Sequence, residues 1–123
     1  MTHPGGSTST GLTPNLAGAL AYVLGPITGI LFLVLEKENR FVRFHAMQSI
    51  IVSVVWFILS NVLSFLLGVL AAIPILGWLV GILVSFGMAA VGLLLWLLLM
   101  WKAFSGEEWE FPVLGAFARQ QVR

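Results

Sequence analysis

The stretch EKENRFVRFHAMQS, Glu36 to Ser49, lies between two long apolar runs, and its reading decides the fold. It carries Glu36, Lys37, Glu38, Arg40 and Arg43, five of the eleven formal charges in a chain of 123 residues. Residues 1–35 hold no Asp, Glu, Lys or Arg, and neither do the 58 residues from Phe44 to Trp101. The other charges, Lys102, Glu107, Glu108, Glu110, Arg119 and Arg123, fall in the last 22 residues.

Outward from that stretch the composition is 59% hydrophobic and 9% charged. Soluble domains run near 45–50% apolar and about 25% charged. So few charges cannot cover a small water-soluble fold, which makes the bilayer the expected solvent and partner. The net charge of +1 and the lack of a basic patch give no reason to expect nucleic acid. The absence of cysteine excludes disulfides, thiolate metal sites and cysteine nucleophiles. Residues 1–13 carry no Lys or Arg, unlike the basic opening of a signal peptide, and their Gly, Ser and Thr content suits a flexible tail.

A membrane-spanning helix needs about 20 apolar residues. Residues 14–35 supply one such run, with Pro14 acceptable in a first turn and Gly25-Pro26 expected to kink it midway. The neutral block is divided by Ala71-Ala72-Ile73-Pro74-Ile75-Leu76-Gly77, which reads as a turn between two spans, a re-entrant segment at Pro74 being the alternative. With two spans in the block, all six Lys and Arg residues share one face, as the positive-inside rule favours. The expected fold is an all-α integral membrane protein with three transmembrane helices, about 14–35, 44–72 and 77–102, and a short amphipathic segment over 112–121. The expected organisation is a tail (1–13), a membrane domain (14–103) and a cytoplasmic-face tail (104–123). The expected setting is the plasma membrane, with the N-terminus outside and the C-terminus cytoplasmic.

Small residues recur at helical spacing: Gly18, Ala21, Gly25 and Gly29; Ser49, Ser53, Ser60, Ser64, Gly68 and Ala72; Gly77, Gly81, Ser85 and Ala89. Such faces let membrane helices approach closely, within the chain or against other membrane subunits or copies of itself. Gln48, Asn61 and Thr28 are the polar residues expected to face protein rather than lipid.

Asn39 suits the N-cap of the second long helix. Arg40 and Arg43 then lie in a first turn, where the helix macrodipole disfavours cations, so a counterpart is required. Phe41, Phe44, His45 and Gln48 fall at i, i+3, i+4 and i+7 on one face, with Met47 beside them. A single histidine there makes neither a metal site nor a triad, and His3 is expected on the far side. The working expectation is a polar clasp in which Arg43 and His45 meet carboxylates of Glu36 or of the tail. No phosphate loop, dinucleotide fingerprint, zinc-protease motif or nucleophile elbow occurs. No enzyme, cofactor or metal is expected.

Arg43-Phe44-His45-Ala46-Met47-Gln48, preceded by Glu36-Lys37 and Phe41, resembles the signature of a family of small bacterial and archaeal membrane proteins of unknown function. That family is similar to the membrane component of the chloroplast inner-envelope (Tic) protein import machinery. Ala103, Gly106, Glu108-Trp109-Glu110, Phe111-Pro112, Leu114-Gly115 and Ala118 fit the same pattern, so the resemblance covers roughly residues 15 to 120. It implies that Glu36, Phe41, Arg43, Phe44, His45, Met47 and Gln48 form a structural or interaction motif, with Gly106, Glu108, Trp109 and Pro112 as its C-terminal counterpart. The plastid relatives have one more span before the motif, so an import-channel role does not simply carry over. Two readings follow: an accessory or assembly subunit of a membrane complex, or an oligomeric pore or translocation component.

Overall fold

The computed structural model describes residues 7–122, which form five helices and no strand. Thr13 caps the first, α1 (Pro14–Val23), by accepting the Leu16 N–H, and Pro14 takes the position where no amide donor is needed. The second, α2 (Pro26–Leu35), follows after two residues. Asn39 caps α3 (Arg40–Leu70) as expected, its side chain accepting from the Val42 N–H at 3.0 Å. A short turn leads to α4 (Leu76–Phe104), and α5 (Leu114–Gln121) closes the chain.

Two helices, α3 and α4, are long and apolar enough to cross a membrane, not three. The run over 14–35 is not a kinked span: it reverses direction. At a rise of about 1.5 Å per residue, α1 and α2 are each about 15 Å long, half of a hydrocarbon core of about 30 Å. Their contacts with α3 show the reversal. Along α1, Gly18 lies against Phe41 and His45, Tyr22 against His45, and Gly25 against Ser53. Along α2 the order runs backwards, Gly29 against Ala46 and Ile50 and then Leu33 against Arg43. The first apolar run is therefore a re-entrant hairpin whose apex is Gly25-Pro26, while Pro74 sits in a turn between the two long helices.

The apex forms because Gly25 adopts φ 59°, ψ −121°, a region closed to residues with a side chain, and because Pro26 has no N–H to continue α1. Backbone groups released in hydrocarbon must find partners within the protein. Thr28 supplies two, accepting from the Leu24 N–H at 3.1 Å and donating to the Ala21 carbonyl at 3.0 Å. The Gly25 carbonyl accepts from the Gly29 N–H and from Ser49 Oγ, both at 2.9 Å. The Tyr22 carbonyl accepts from Trp96 Nε1 at 2.7 Å.

Residues 1–6, His3 among them, lie outside the described residues. Residues 7–13 lie at the same end of the bundle as Glu36 and the C-terminal segment, not at the opposite end as expected. Ser9 and Thr10 donate their backbone N–H groups to the Glu36 carboxylate, each at 2.8 Å, and Asn39 donates to the Ser7 carbonyl at 3.1 Å. The physical reason is the re-entrant turn, which returns the chain to the face it started from.

Beyond the apex α3 and α4 continue alone. Their residues turned away from the surroundings, Trp56, Ser60, Leu63, Leu67 and Leu70 on one side and buried Gly77 with Val80, Gly81, Val84 and Met88 on the other, recur every three or four positions, a coiled-coil-like seam. Ser64, Gly68, Ala72, Ser85 and Ala89 lie off that seam and are exposed. Asn61 is exposed too and bonds only the Phe57 carbonyl of its own helix.

The sequence Pro-Ile/Val-Leu-Gly occurs twice, at Pro74–Gly77 and Pro112–Gly115, and builds the same start each time. Ile75 (φ 67°) and Val113 (φ 66°) sit at the centre of γ-turns of the rare hand, closed by Leu76 N–H to Pro74 O and Leu114 N–H to Pro112 O. In both, the fourth residue is buried where a side chain would collide: Gly77 with the Leu70 carbonyl, Gly115 with Gln48 Oε1 and Glu110. The expected helical start at Pro112 is thus this turn, and α5 begins two residues later.

Candidate functional site: a polar clasp at the charged end

The first two turns of α3 place Phe41, Phe44, His45 and Gln48 on one buried face. His45 lies edge-on to Phe41, Phe44 and Tyr22, with ring centroids 4.6, 5.1 and 5.5 Å away. Its Nε2 is 2.9 Å from the Glu107 carbonyl, which can only accept, so Nε2 carries the proton. Nδ1 then accepts from the Tyr22 hydroxyl at 2.7 Å. That hydroxyl accepts in turn from Gln48 Nε2 at 2.8 Å. Gln48 Nε2 also donates to the Trp109 carbonyl at 3.0 Å, and Gln48 Oε1 accepts from the Phe111 N–H at 2.8 Å. Each proton in this chain of bonds has one place to be, and the histidine tautomer and the amide orientation follow from it.

The result is a clasp: α1, α3 and residues 107–111 are tied through three side chains, Tyr22, His45 and Gln48, all buried. It differs from the expected one in its partners. Neither His45 nor Arg43 meets a carboxylate. His45 and Gln48 bind backbone groups of the tail. Arg43 Nη1 donates to the carbonyls of Leu33 (2.9 Å) and Glu36 (3.3 Å) at the C-terminus of α2. A cation there faces the negative end of α2, which offsets its cost in the first turn of α3.

The tail's own carboxylates pair elsewhere. Arg119 holds Glu110 at 2.7 Å and Glu108 at 3.3 Å, and its guanidinium carbon lies 4.4 Å from the Phe44 ring centroid. Lys102 pairs with Glu107 at 2.9 Å. Gly106 (φ 81°) ends α4: its N–H bonds Ala103 O, and the Glu107 N–H bonds Lys102 O, a Schellman closure that turns the chain back under the bundle. The Trp109 ring packs edge-on to Phe111 at 6.2 Å, and Pro112 is exposed at the start of the γ-turn. Met47 is partly buried beside the network and bonds nothing in it. On α5 the buried residues are Gly115 and Ala118, with Phe117 half exposed, so small residues rather than large apolar ones dock it onto α3. Glu36 is buried under the Ser9 and Thr10 amides.

Tyr22 is the member of the cluster that the motif does not contain. It is the only tyrosine in the chain, a polar group inside an apolar run, and that singularity is its signal.

A bundle of two long apolar helices with a re-entrant hairpin and a tail locked under one end defines a small polytopic membrane protein. The chain matches the model of the magnetosome magnetite crystal formation protein family over residues 8–118, and it belongs to that family. It is 49% identical over 110 residues to a UPF0132 membrane protein of Archaeoglobus fulgidus, covering 88% of this chain and 94% of the relative. It is 45% identical over 115 residues to a UPF0132 membrane protein of Methanocaldococcus jannaschii, covering 94% of each. These archaeal names carry membrane nature and no activity, and nothing in them points to the plastid import component of the resemblance. No solved structure matches the chain.

Proposed function

We propose that the protein is a non-enzymatic subunit of a larger membrane assembly in the plasma membrane, with its charged end and residues 7–13 on the cytoplasmic side. One observation carries this: the two ends of the molecule are finished to different degrees. At the charged end the polar side chains of the clasp already hold one another or the backbone. In the far half, Ser64, Gly68, Ala72, Ser85 and Ala89 are exposed on helices facing hydrocarbon. Small residues in that setting favour close contact with another helix. The family description speaks of magnetite crystal formation. For this chain we read that as membrane organisation.

The test is the mass and composition of the particle extracted from native membranes in mild detergent. A particle well above the 13.4 kDa of the chain, containing other subunits or copies, is expected. A bare monomer that co-purifies with nothing overturns the reading.

A further inference from the structure

In the half of the bundle near the charged end, α1 lies in the groove between α3 and α4, with Gly18 against Phe41, His45 and Ala103. The helix stops at Val23, and the groove does not. Its continuation is an apolar cavity of about 650 Å³. Tyr22, Gly25 and Pro26 form the floor; Trp56 and Ser60 of α3 and Trp96 of α4 stand in the walls.

We infer that this cavity binds one hydrocarbon chain of a membrane lipid from the leaflet opposite the charged end, which completes the bundle where α1 leaves off. Three observations converge. The cavity is continuous with the α1 interface, so whatever fills it extends an established packing surface. The cavity is lined on α3 from Ser49 to Ser60, about 16 Å at a rise of about 1.5 Å per residue, which is close to half the hydrocarbon core and to the length a lipid chain covers in one leaflet. The wall chemistry also excludes water: an ordered water needs two to four polar partners. Ser49 Oγ is engaged with the Gly25 carbonyl and Trp96 Nε1 with the Tyr22 carbonyl, leaving only the scattered hydroxyls of Ser53 and Ser60.

The test uses the full chain in bilayers containing a phospholipid with a photoreactive group at the end of one acyl chain. After illumination, adducts are mapped by mass spectrometry. Adducts concentrated at Trp56, Ser60 and Trp96, several-fold above those at the exposed Phe65 and Phe86, are the expected result. The Leu95→Phe variant, which enlarges a wall residue, should lower the yield at those sites several-fold while leaving that at Phe65 and Phe86 unchanged. An even spread of adducts along α3 and α4 overturns the inference. So does efficient disulfide formation between copies of Ser60→Cys in membranes, which would give the groove to a second copy. The chain has no native cysteine to confuse that readout.

Discussion

The two halves of this membrane bundle are built on different principles. Near the charged end the two long helices, a re-entrant hairpin and a folded tail surround a core that is partly polar, with Tyr22, His45, Gln48 and Glu36 fully or almost fully buried. Past Gly25 the same two long helices run on as a bare pair, and Phe57, Phe65, Leu83 and Phe86 are mostly exposed. The difference shows that apolar content does not locate the core of a membrane protein. The most apolar half is the least packed, and the half that excludes its surroundings does so around hydrogen bonds.

The largest effect that could break this contrast is one of sidedness. Cysteines at Ser7 and Ser105 should react with an impermeant thiol reagent from the same side of the membrane, and one at Ala72 from the other. Labelling of Ser7→Cys with Ala72→Cys would remove the re-entrant hairpin and restore three spans. Next comes Gln48→Leu. It strips the Trp109 carbonyl and the Phe111 N–H of their partners, at a cost of about 2–4 kcal/mol, and should open residues 105–122 to protease. The matching change in the far half, Asn61→Leu, should leave both thermal stability in detergent and cleavage unaltered.

Gly115→Ala sharpens the comparison at the scale of one methyl group. A Cβ there would stand 2.5 Å from Gln48 Oε1 and 2.6 Å from Glu110, and overpacking of this kind costs about 1–3 kcal/mol. Gly68→Ala meets nothing within 4 Å and should change stability by no more than about 0.5 kcal/mol. Equal losses at both sites in thermal unfolding would mean that the far half is packed after all. The smallest effect is expected from Arg119→Ala. Its ion pairs are about one-third exposed, and such pairs contribute about 0.2–1 kcal/mol each, so the tail should stay docked.

The parts of the fold legible in the sequence are those set by local chemistry. Asn39 announces the cap of α3, Pro74 the turn between the long helices, and the Arg43–Gln48 stretch the place where the chain closes on itself. The re-entrant hairpin was not legible, because hydropathy counts apolar residues and not their direction. Twenty-two residues suffice for a span, and whether Gly25-Pro26 bends or reverses the chain rests on a positive φ and on what Thr28 can bond seven residues back. The clasp was legible from one side only. His45, Gln48 and Arg43 are readable as donors and acceptors, but their partners are the backbone groups of Glu107, Trp109, Phe111, Leu33 and Glu36. A backbone carbonyl has no letter in the sequence, so residue types alone point to the carboxylates of Glu36 and of the tail, which the Ser9 and Thr10 amides, Lys102 and Arg119 hold.

The turn at Ala71–Ile75 has a consequence for how the protein is made. It is the only connection at the far end of the described chain, and neither it nor any residue from Phe44 to Trp101 bears a formal charge. A hairpin of α3 and α4 can therefore enter the bilayer without dragging an ion through it, each of which would add about 2.5–3.5 kcal/mol at mid-membrane. Among the described residues, every Asp, Glu, Lys and Arg from Glu36 onward lies at the other end of the hairpin, where the tail folds beneath the bundle.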